Sequence, residues 1–204
     1  MAATLTPTEQ KTSAVVLHFG SLLEKYTEDE LFEFLTINKD LRLELTSTGD
    51  LIIMSPTGGE TGTSNFELSG NFWAWSKKDG TGRGFDSSTM FRLPNGAKRS
   101  PDLAWVRKER WEALSKEERR KFPPLCPDFV VELRSPSDSL QFLQSKMEEY
   151  IENGAQLGWL IDPFERKVHV YRPQSPVEVL EDPESVSGDP VLPGFTLDVR
   201  ALWE

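Results

Sequence analysis

The sequence predicts an α/β domain, on the border of α+β, in which a mixed β-sheet is flanked by helices. The first observation is a strand–helix–strand unit: an apolar run at 128–134 is followed by an amphipathic segment at 137–154 and a second apolar run at 155–162. Such a crossover joins parallel strands. The second observation is that short alternating segments separated by turns precede this unit, which is typical of antiparallel strands. Both pairing modes in one chain predict a mixed sheet.

The elements before the crossover begin with a short helix at 26–40, which opens with capping-box spacing. Two short strands about a Ser-Thr-Gly-Asp turn follow at 41–56. A glycine-rich approach then leads to a longer helix, in which Ser64 and Glu67 again have capping-box spacing. The sequence therefore predicts that this longer helix begins at Ser64.

The longer helix and the strands after it supply the rest of the predicted core. Its apolar stripe is Leu68, Phe72 and Trp75, and Trp73 is assigned to the core as well. Strands are expected within 82–106, and one polar helix is expected after them; further strands follow the crossover. The predicted elements are the strands at 82–93, 101–106, 155–162 and 167–173, and the polar helix at 107–121.

The composition predicts one soluble domain over residues 1–204, with a core at about 43–173 and an acidic C-terminal extension at 174–204. No apolar run approaches the roughly 18 residues that a membrane-spanning helix needs. The N-terminus lacks the basic and apolar regions of a signal peptide. The single cysteine, Cys126, excludes an intrachain disulfide. We therefore expect a cytoplasmic protein without a membrane partner.

The net charge of −10 is unfavourable for binding nucleic acid, since phosphate binding needs a basic surface. The charge is uneven, however. Residues 174–204 contain seven acidic residues and one basic residue, whereas residues 98–121 contain nine basic and five acidic residues. The basic segment lies beside Asp102. It is either part of a nucleic-acid surface or an ordinary solvated helix face.

The strand at 128–134 carries the first candidate site residue, Glu132, on the same face as Asp128 and Arg134. An acid in so apolar a strand needs a cation, either a metal or an ion-pair partner such as Arg134. Asp128 is roughly 13 Å from Glu132 along the strand, too far to share one ion with it. Asp102 opens a different strand. If the two strands are neighbours, Asp102 and Glu132 meet on one face and could hold Mg²⁺.

Asp102, Glu132 and a nearby lysine resemble the PD-(D/E)XK signature of restriction-endonuclease-like nucleases. The run from "FDSSTMFRLPNGAKRSPDLAWV" to "CPDFVVELRSPSDSLQFLQSKMEEYIENGAQLGWLIDP" resembles a large bacterial family of uncharacterised restriction endonucleases with that core, over about 43–173. The resemblance implies a restriction-endonuclease-like fold, hydrolysis of DNA phosphodiester bonds with Mg²⁺ or Mn²⁺, and a homodimer.

The sequence departs from this signature at the basic residue, because Arg134 stands where the signature has lysine. Arginine stays protonated, so it could hold a phosphate but could not accept a proton from water. Lys146, on the following helix, is the candidate for orienting or deprotonating water. The alternative is an exposed lysine that pairs with a neighbour such as Glu149.

Glu67 is the fourth candidate, because nucleases of this fold often carry an acid on the first core helix that completes the metal site. Its alternative role is to cap that helix after Ser64. For the whole protein, the alternative to a metal-dependent nuclease is a binding or interaction protein that keeps the nuclease fold without turnover. A hydrolase of another phosphate ester is a third possibility, because fold does not fix substrate.

Overall fold

The computed structural model describes residues 14–203, except for the side chain of Glu24, and contains strands, α-helices and two short 3₁₀ helices. The strands are β1 (Val15–His18), β2 (Arg42–Leu45), β3 (Asp50–Met54), β4 (Gly82–Asp86), β5 (Phe91–Arg92), β6 (Lys98–Arg99), β7 (Leu103–Arg107), β8 (Phe129–Leu133), β9 (Leu157–Asp162), β10 (Lys167–Tyr171), β11 (Glu178–Glu181), β12 (Ser185–Ser187) and β13 (Thr196–Asp198). The α-helices are α1 (Glu28–Ile37), α2 (Gly59–Asp79), α3 (Lys108–Ala113), α4 (Lys116–Arg120) and α5 (Leu140–Glu152), and the 3₁₀ helices are Gly20–Lys25 and Arg200–Leu202.

The main sheet has six strands in the order β11-β10-β9-β8-β7-β4. Strands β8 and β9 are parallel and are joined through α5, as the crossover predicted, whereas the other neighbours are antiparallel. The predicted mixed sheet with flanking helices is therefore confirmed.

A second sheet of five strands, in the order β1-β3-β2-β6-β5, stands beside the main one. Its centre is the predicted hairpin of β2 and β3, with Leu43 opposite Ile53. Leu45 pairs with Lys98, which joins this hairpin to the chain segment just before β7. This connection brings side chains of β2 to the end of the main sheet. The remaining strands, β12 and β13, form a separate antiparallel pair.

Helices cover both faces of the main sheet. On one face, Val130 and Leu160 belong to a buried cluster with Met147 and Tyr150 of α5. A Cβ atom on Gly158 would overlap the end of Met147, so glycine in β9 allows α5 to lie close to the sheet. On the other face, a cluster that includes Phe129 and Trp159 contains α2 side chains and residues from the C-terminal strands.

Helix α2 begins earlier than predicted, at Gly59 with Gly58 as its N-cap. Ser64 is inside the helix and donates from its hydroxyl to the carbonyl of Glu60, so it caps nothing at the start. The alternative role of Glu67 as a capping residue is therefore wrong.

Two further expectations about helices are wrong. The predicted polar helix is two helices, α3 and α4, because Ser115 starts a new one: Ser115 and Glu118 form a complete capping box. Trp73, assigned to the core, is 63% exposed. It follows Phe72 by one residue on α2, and this step of about 100° turns it out of the apolar stripe.

The acidic extension contributes an edge strand. Strand β11 pairs with β10 at one edge of the main sheet, and Phe195 and Leu202 are buried in the core that α2 covers. Within the part of the chain that the structure describes, no helix is long and apolar enough to cross a membrane. The segment that was expected to lack signal-peptide features, residues 1–13, lies outside the described residues.

Candidate active site

Asp102 and Glu132 lie side by side at one end of the main sheet. Leu103 of β7 is paired with Val131 of β8, so the residue before Leu103 stands opposite the residue after Val131. Asp102 is fixed there because its Oδ2 accepts a hydrogen bond of 2.9 Å from the backbone N–H of Leu133. The two carboxylates that the sequence pointed to are thus brought together by adjacent strands.

Lys146 reaches the same place from α5. Its Nζ lies 2.8 Å from Oε1 of Glu132 and 2.9 Å from Oε1 of Glu44, and its side chain is only 3% exposed. Tyr150, one turn further along α5, donates from its hydroxyl to Oε1 of Glu132 over 3.1 Å. Lys146 is therefore neither solvent-exposed nor paired with Glu149. A buried ammonium group is held between two glutamates instead.

Glu44 was missed by the sequence reasoning, although it is fully buried in this cluster. It comes from β2 of the second sheet. Besides Lys146, it binds the guanidinium of Arg99 at 3.1 Å and accepts a 2.8 Å hydrogen bond from the backbone N–H of Ser100. The available signal was an acid between Leu43 and Leu45 in a short apolar strand, which is the same signal that singled out Glu132.

Arg99 connects this cluster to α5 by a second ion pair. Its Nε donates to Oε2 of Glu149 over 2.6 Å, while its NH1 group binds Glu44. The carboxylate of Glu44 thus has two cationic partners, Lys146 and Arg99, whereas Glu132 shares one cation with Glu44. This unequal sharing makes the two glutamates electrostatically different.

The pKa values follow from these surroundings. Burial raises the pKa of Glu132 to about 8, and the nearby carboxylates of Asp102 and Glu44 add to the shift, although Lys146 opposes it. Burial likewise raises the pKa of Asp102. Burial alone would raise the pKa of Glu44, but Lys146 and Arg99 outweigh it and the pKa is lowered.

The pKa of Lys146 is raised even though burial opposes this, because Glu132 and Glu44 stabilise its charged form. Lys146 is therefore an ammonium group at neutral pH. In this state it donates hydrogen bonds and cannot accept a proton.

The cluster opens into a small cavity of about 120 Å³, lined by Asp102, Glu132 and Lys146. Arg42 also lines it, with a side chain that is 36% exposed and a guanidinium nitrogen 3.7 Å from Oδ1 of Asp102. From α2, Asn65 faces the cavity, and its buried Oδ1 has no hydrogen-bond partner. The cavity therefore places these two carboxyl groups, two cationic groups and one amide in a confined space.

Two predicted site residues are not brought to this cavity. Arg134 turns to the buried carboxylate of Asp162, 2.6 Å away, and stacks over Phe164. Glu67 is exposed on α2, the helix that covers the sheet face opposite to α5, and it does not line the cavity.

Asp128, which the strand geometry set apart from Glu132, lies at the other end of β8. Its Oδ2 accepts from the backbone N–H of Arg107 over 2.9 Å, and its Oδ1 binds Arg110 at 3.0 Å. The carboxylate therefore joins β8 to the end of β7 and to α3. These contacts give it a structural role.

The donor set fits a divalent ion such as Mg²⁺. Asp102 and Glu132 are hard oxygen donors that line one cavity, and burial raises the pKa of both, so a cation beside them would favour their ionised forms. Among residues 14–203, no group of three or more His, Cys, Asp or Glu side chains is arranged to hold a metal. Two carboxylates suffice for Mg²⁺, which is often bound by one or two carboxylates together with water and substrate phosphate.

Comparisons with known proteins agree with this fold. None of the curated proteins compared with the chain matches it. A crystal structure described as a putative nuclease belonging to DUF820, from Anabaena variabilis, superposes with a TM-score of 0.70 at 24% identity, covering 87% of this chain and 97% of that chain. This likeness shows a shared fold. The profile of the family Uma2, described as "Putative restriction endonuclease", matches residues 7–200. The chain therefore belongs to the Uma2 family of restriction-endonuclease-like proteins.

Proposed function

We propose that the protein is a divalent-metal-dependent nuclease that hydrolyses DNA phosphodiester bonds, with Mg²⁺ or Mn²⁺ held by Asp102 and Glu132. The observation that carries this proposal is the convergence of these two carboxylates and the Lys146 ammonium on one cavity. When bound, the metal would polarise the phosphate and lower the pKa of a bound water. The family description and the nuclease-like fold support the same chemistry.

The protein groups have separate roles in this proposal. The backbone N–H of Leu133 orients Asp102, and the Tyr150 hydroxyl orients Glu132. Lys146, which remains protonated, donates to the attacking water or to a phosphate oxygen and stabilises the charge that develops there. In this proposal Lys146 is a hydrogen-bond donor rather than the general base.

Arg42 takes the phosphate-binding role that the sequence assigned to Arg134. It lies at the cavity, is partly exposed, and has only a long contact of 3.7 Å to Asp102. Its guanidinium can therefore turn toward a phosphate and make paired hydrogen bonds with it. Arg134, in contrast, is held by the carboxylate of Asp162.

The direct test is cleavage of labelled single-stranded and duplex DNA with Mg²⁺ or Mn²⁺. We expect Asp102→Asn and Glu132→Gln to lower the rate by more than about 100-fold, since each removes a metal ligand. Asp128→Asn is the matched control, because it changes a carboxylate at the opposite end of β8, and it should keep activity at temperatures where it is folded. Metal-dependent cleavage that survives in both ligand variants would disprove this site.

The proposal includes a homodimer, which light scattering of the purified protein tests.

The second candidate is a nuclease-fold binding protein without turnover. The observations that favour it are the net charge of −10 and the ion pair that already engages Glu132 with Lys146. Calorimetry with Mn²⁺ separates the two candidates. A nuclease binds the ion in wild-type protein and loses binding in Asp102→Asn, whereas a folded wild-type protein that binds no Mn²⁺ supports the binding protein.

A further inference from the structure

The cavity lined by Asp102, Glu132 and Lys146 is called the catalytic cavity here, after its proposed function. A second, larger cavity lies between α2 and the edge strand β4. This groove has a volume of about 560 Å³. Trp73 and Lys77 line it from α2, Arg83 lines it from β4, and Lys108 lines it from the start of α3. Strand β4 is the last strand of the main sheet, so one wall of the groove is a sheet edge.

Side chains of α2 line both the catalytic cavity and the groove. Thr61 and Asn65 line the catalytic cavity, and Ser69, Trp73 and Lys77 line the groove. These five positions are spaced four residues apart and follow each other along the helix for about 24 Å. On the sheet, Asp102 lines the catalytic cavity and the next residue, Leu103, lines the groove. The two spaces therefore share α2 and the start of β7, and Asp102 and Leu103 point to opposite faces of the sheet.

The groove combines an exposed aromatic ring with unpaired basic groups. Trp73 is 63% exposed, and Nζ of Lys77 lies 5.8 Å from the centre of its ring. Within residues 14–203, no carboxylate lies within 4 Å of the cationic groups of Lys77 or Arg83, and Lys108 has one exposed partner at 4.0 Å. The acid that lines the groove, Asp86, accepts hydrogen bonds from the backbone and hydroxyl of a neighbouring serine.

We propose that this groove binds single-stranded DNA and leads the strand to the catalytic cavity. Bases would stack on Trp73, and phosphates would pair with Lys77, Arg83 and Lys108. Although the chain has a net charge of −10, Lys77 and Arg83 have no carboxylate within 4 Å among residues 14–203, which is the charge pattern that a phosphate backbone requires.

A single strand fits better than a duplex for two reasons. Stacking on Trp73 requires an unstacked base, which a duplex does not offer. The carboxylates are also buried in a space of only about 120 Å³, so a scissile phosphate has to enter on a flexible chain. The path of the DNA toward the catalytic cavity depends on the proposed function, whereas DNA binding to the groove does not.

The test is the fluorescence anisotropy of labelled oligothymidylate with the full chain in EDTA, so that binding is measured without cleavage. We expect Trp73→Ala to weaken binding by about 5- to 150-fold, the usual effect of losing one stacked base. The control is Phe164→Ala, which removes an exposed aromatic ring at the turn after β9, three strands from β4. It should bind as wild type does.

Salt dependence tests the basic groups separately. Changing Lys77, Arg83 and Lys108 to glutamine together should reduce the slope of log affinity against log salt by about 2, since each phosphate contact on a single strand contributes about 0.7. Lys116→Gln, a change at an exposed lysine of α4 outside the groove, should leave the slope unchanged. Circular dichroism confirms that each variant is folded.

Several results would overturn the proposal. The first is that Trp73→Ala binds the oligonucleotide as tightly as wild type does. The second is that wild type binds duplex more tightly than the single strand. The third is that Trp73→Ala changes the oligomeric state without losing affinity for DNA. The last result would assign this face to a second copy of the chain. A wild-type protein that binds oligothymidylate through Trp73 but cleaves no DNA would refute the proposed function and keep the groove. If Trp73→Ala changes neither cleavage nor binding, the groove proposal is refuted and the proposed nuclease function is kept.

Discussion

Nζ of Lys146 lies 2.8 Å from Oε1 of Glu132, and both side chains are almost completely buried. The same ammonium group lies 2.9 Å from Glu44, so it joins strands of two different sheets to α5. Removing one partner from such a cluster leaves buried charge without compensation, which usually costs more than the ion pair contributes. Replacing one member of the cluster should therefore destabilise the domain.

Lys146→Met should destabilise the protein by about 3–5 kcal/mol, because the side-chain length is kept while both glutamates lose their shared cation. Urea unfolding in EDTA measures this change. Adding Glu132→Gln to the variant should recover part of the loss, since a neutral amide replaces one of the two acids left without the cation. Lys116→Met, at an exposed lysine, should change the free energy of unfolding by less than about 0.5 kcal/mol. Equal stability of Lys146→Met and wild type would show that the cluster does not depend on this cation.

Glu132 should make the metal-free protein less stable as the pH rises. Its pKa is 4.5 ordinarily and about 8 in the folded protein, so the folded state holds a proton that the unfolded state has released. Stability from this group is complete below pH 4.5 and is lost as the pH rises to about 8. Asp102, whose pKa is also raised, acts in the same direction.

The measurement for Glu132 is the free energy of unfolding of wild type and Glu132→Gln in EDTA across this pH range. We expect a shallower decline in the variant, because glutamine does not ionise. Contributions of groups outside this cluster, such as the lowered pKa of His169, are common to both proteins and cancel in the difference. Parallel curves for the two proteins would contradict the raised pKa.

The sequence was sufficient for the pair of carboxylates but not for the whole cluster. Strand alternation and the usual distance between strands let Asp102 meet Glu132 if the two strands are neighbours, and the resemblance to the nuclease signature singled out this pair. Glu44 could not be assigned in this way. It stands in an equally apolar strand, but its neighbours come from another sheet, and that packing has no local signature. The exposure of Trp73 was available from helix periodicity, since Trp73 lies about 100° from Phe72.

Asp128→Asn should destabilise the protein without affecting metal binding. The Asp128 carboxylate accepts from the backbone N–H of Arg107 and pairs with Arg110, so the neutral amide weakens a buried, charge-assisted contact. A loss of about 1–3 kcal/mol is expected in urea unfolding. Calorimetry should give wild-type affinity for Mn²⁺ in Asp128→Asn and a large loss in Asp102→Asn. The opposite order of affinities would mean that Asp128, and not Asp102, belongs to the metal site.

Two glycines should respond in opposite directions to alanine substitution. A Cβ atom on Gly82 of β4 would overlap the indole ring of Trp105, which is buried, so Gly82→Ala forces the ring or the edge strand to move. We expect a loss of about 1–3 kcal/mol, as for other overpacked sites. Gly62 lies within α2, and a Cβ there would meet no heavy atom within 4 Å. Gly62→Ala should therefore stabilise the protein by about 0.5–1 kcal/mol through helix propensity. Thermal unfolding of the two variants beside wild type measures both effects. An unchanged midpoint for Gly82→Ala would show that β4 does not pack against Trp105 as tightly as this structure places it.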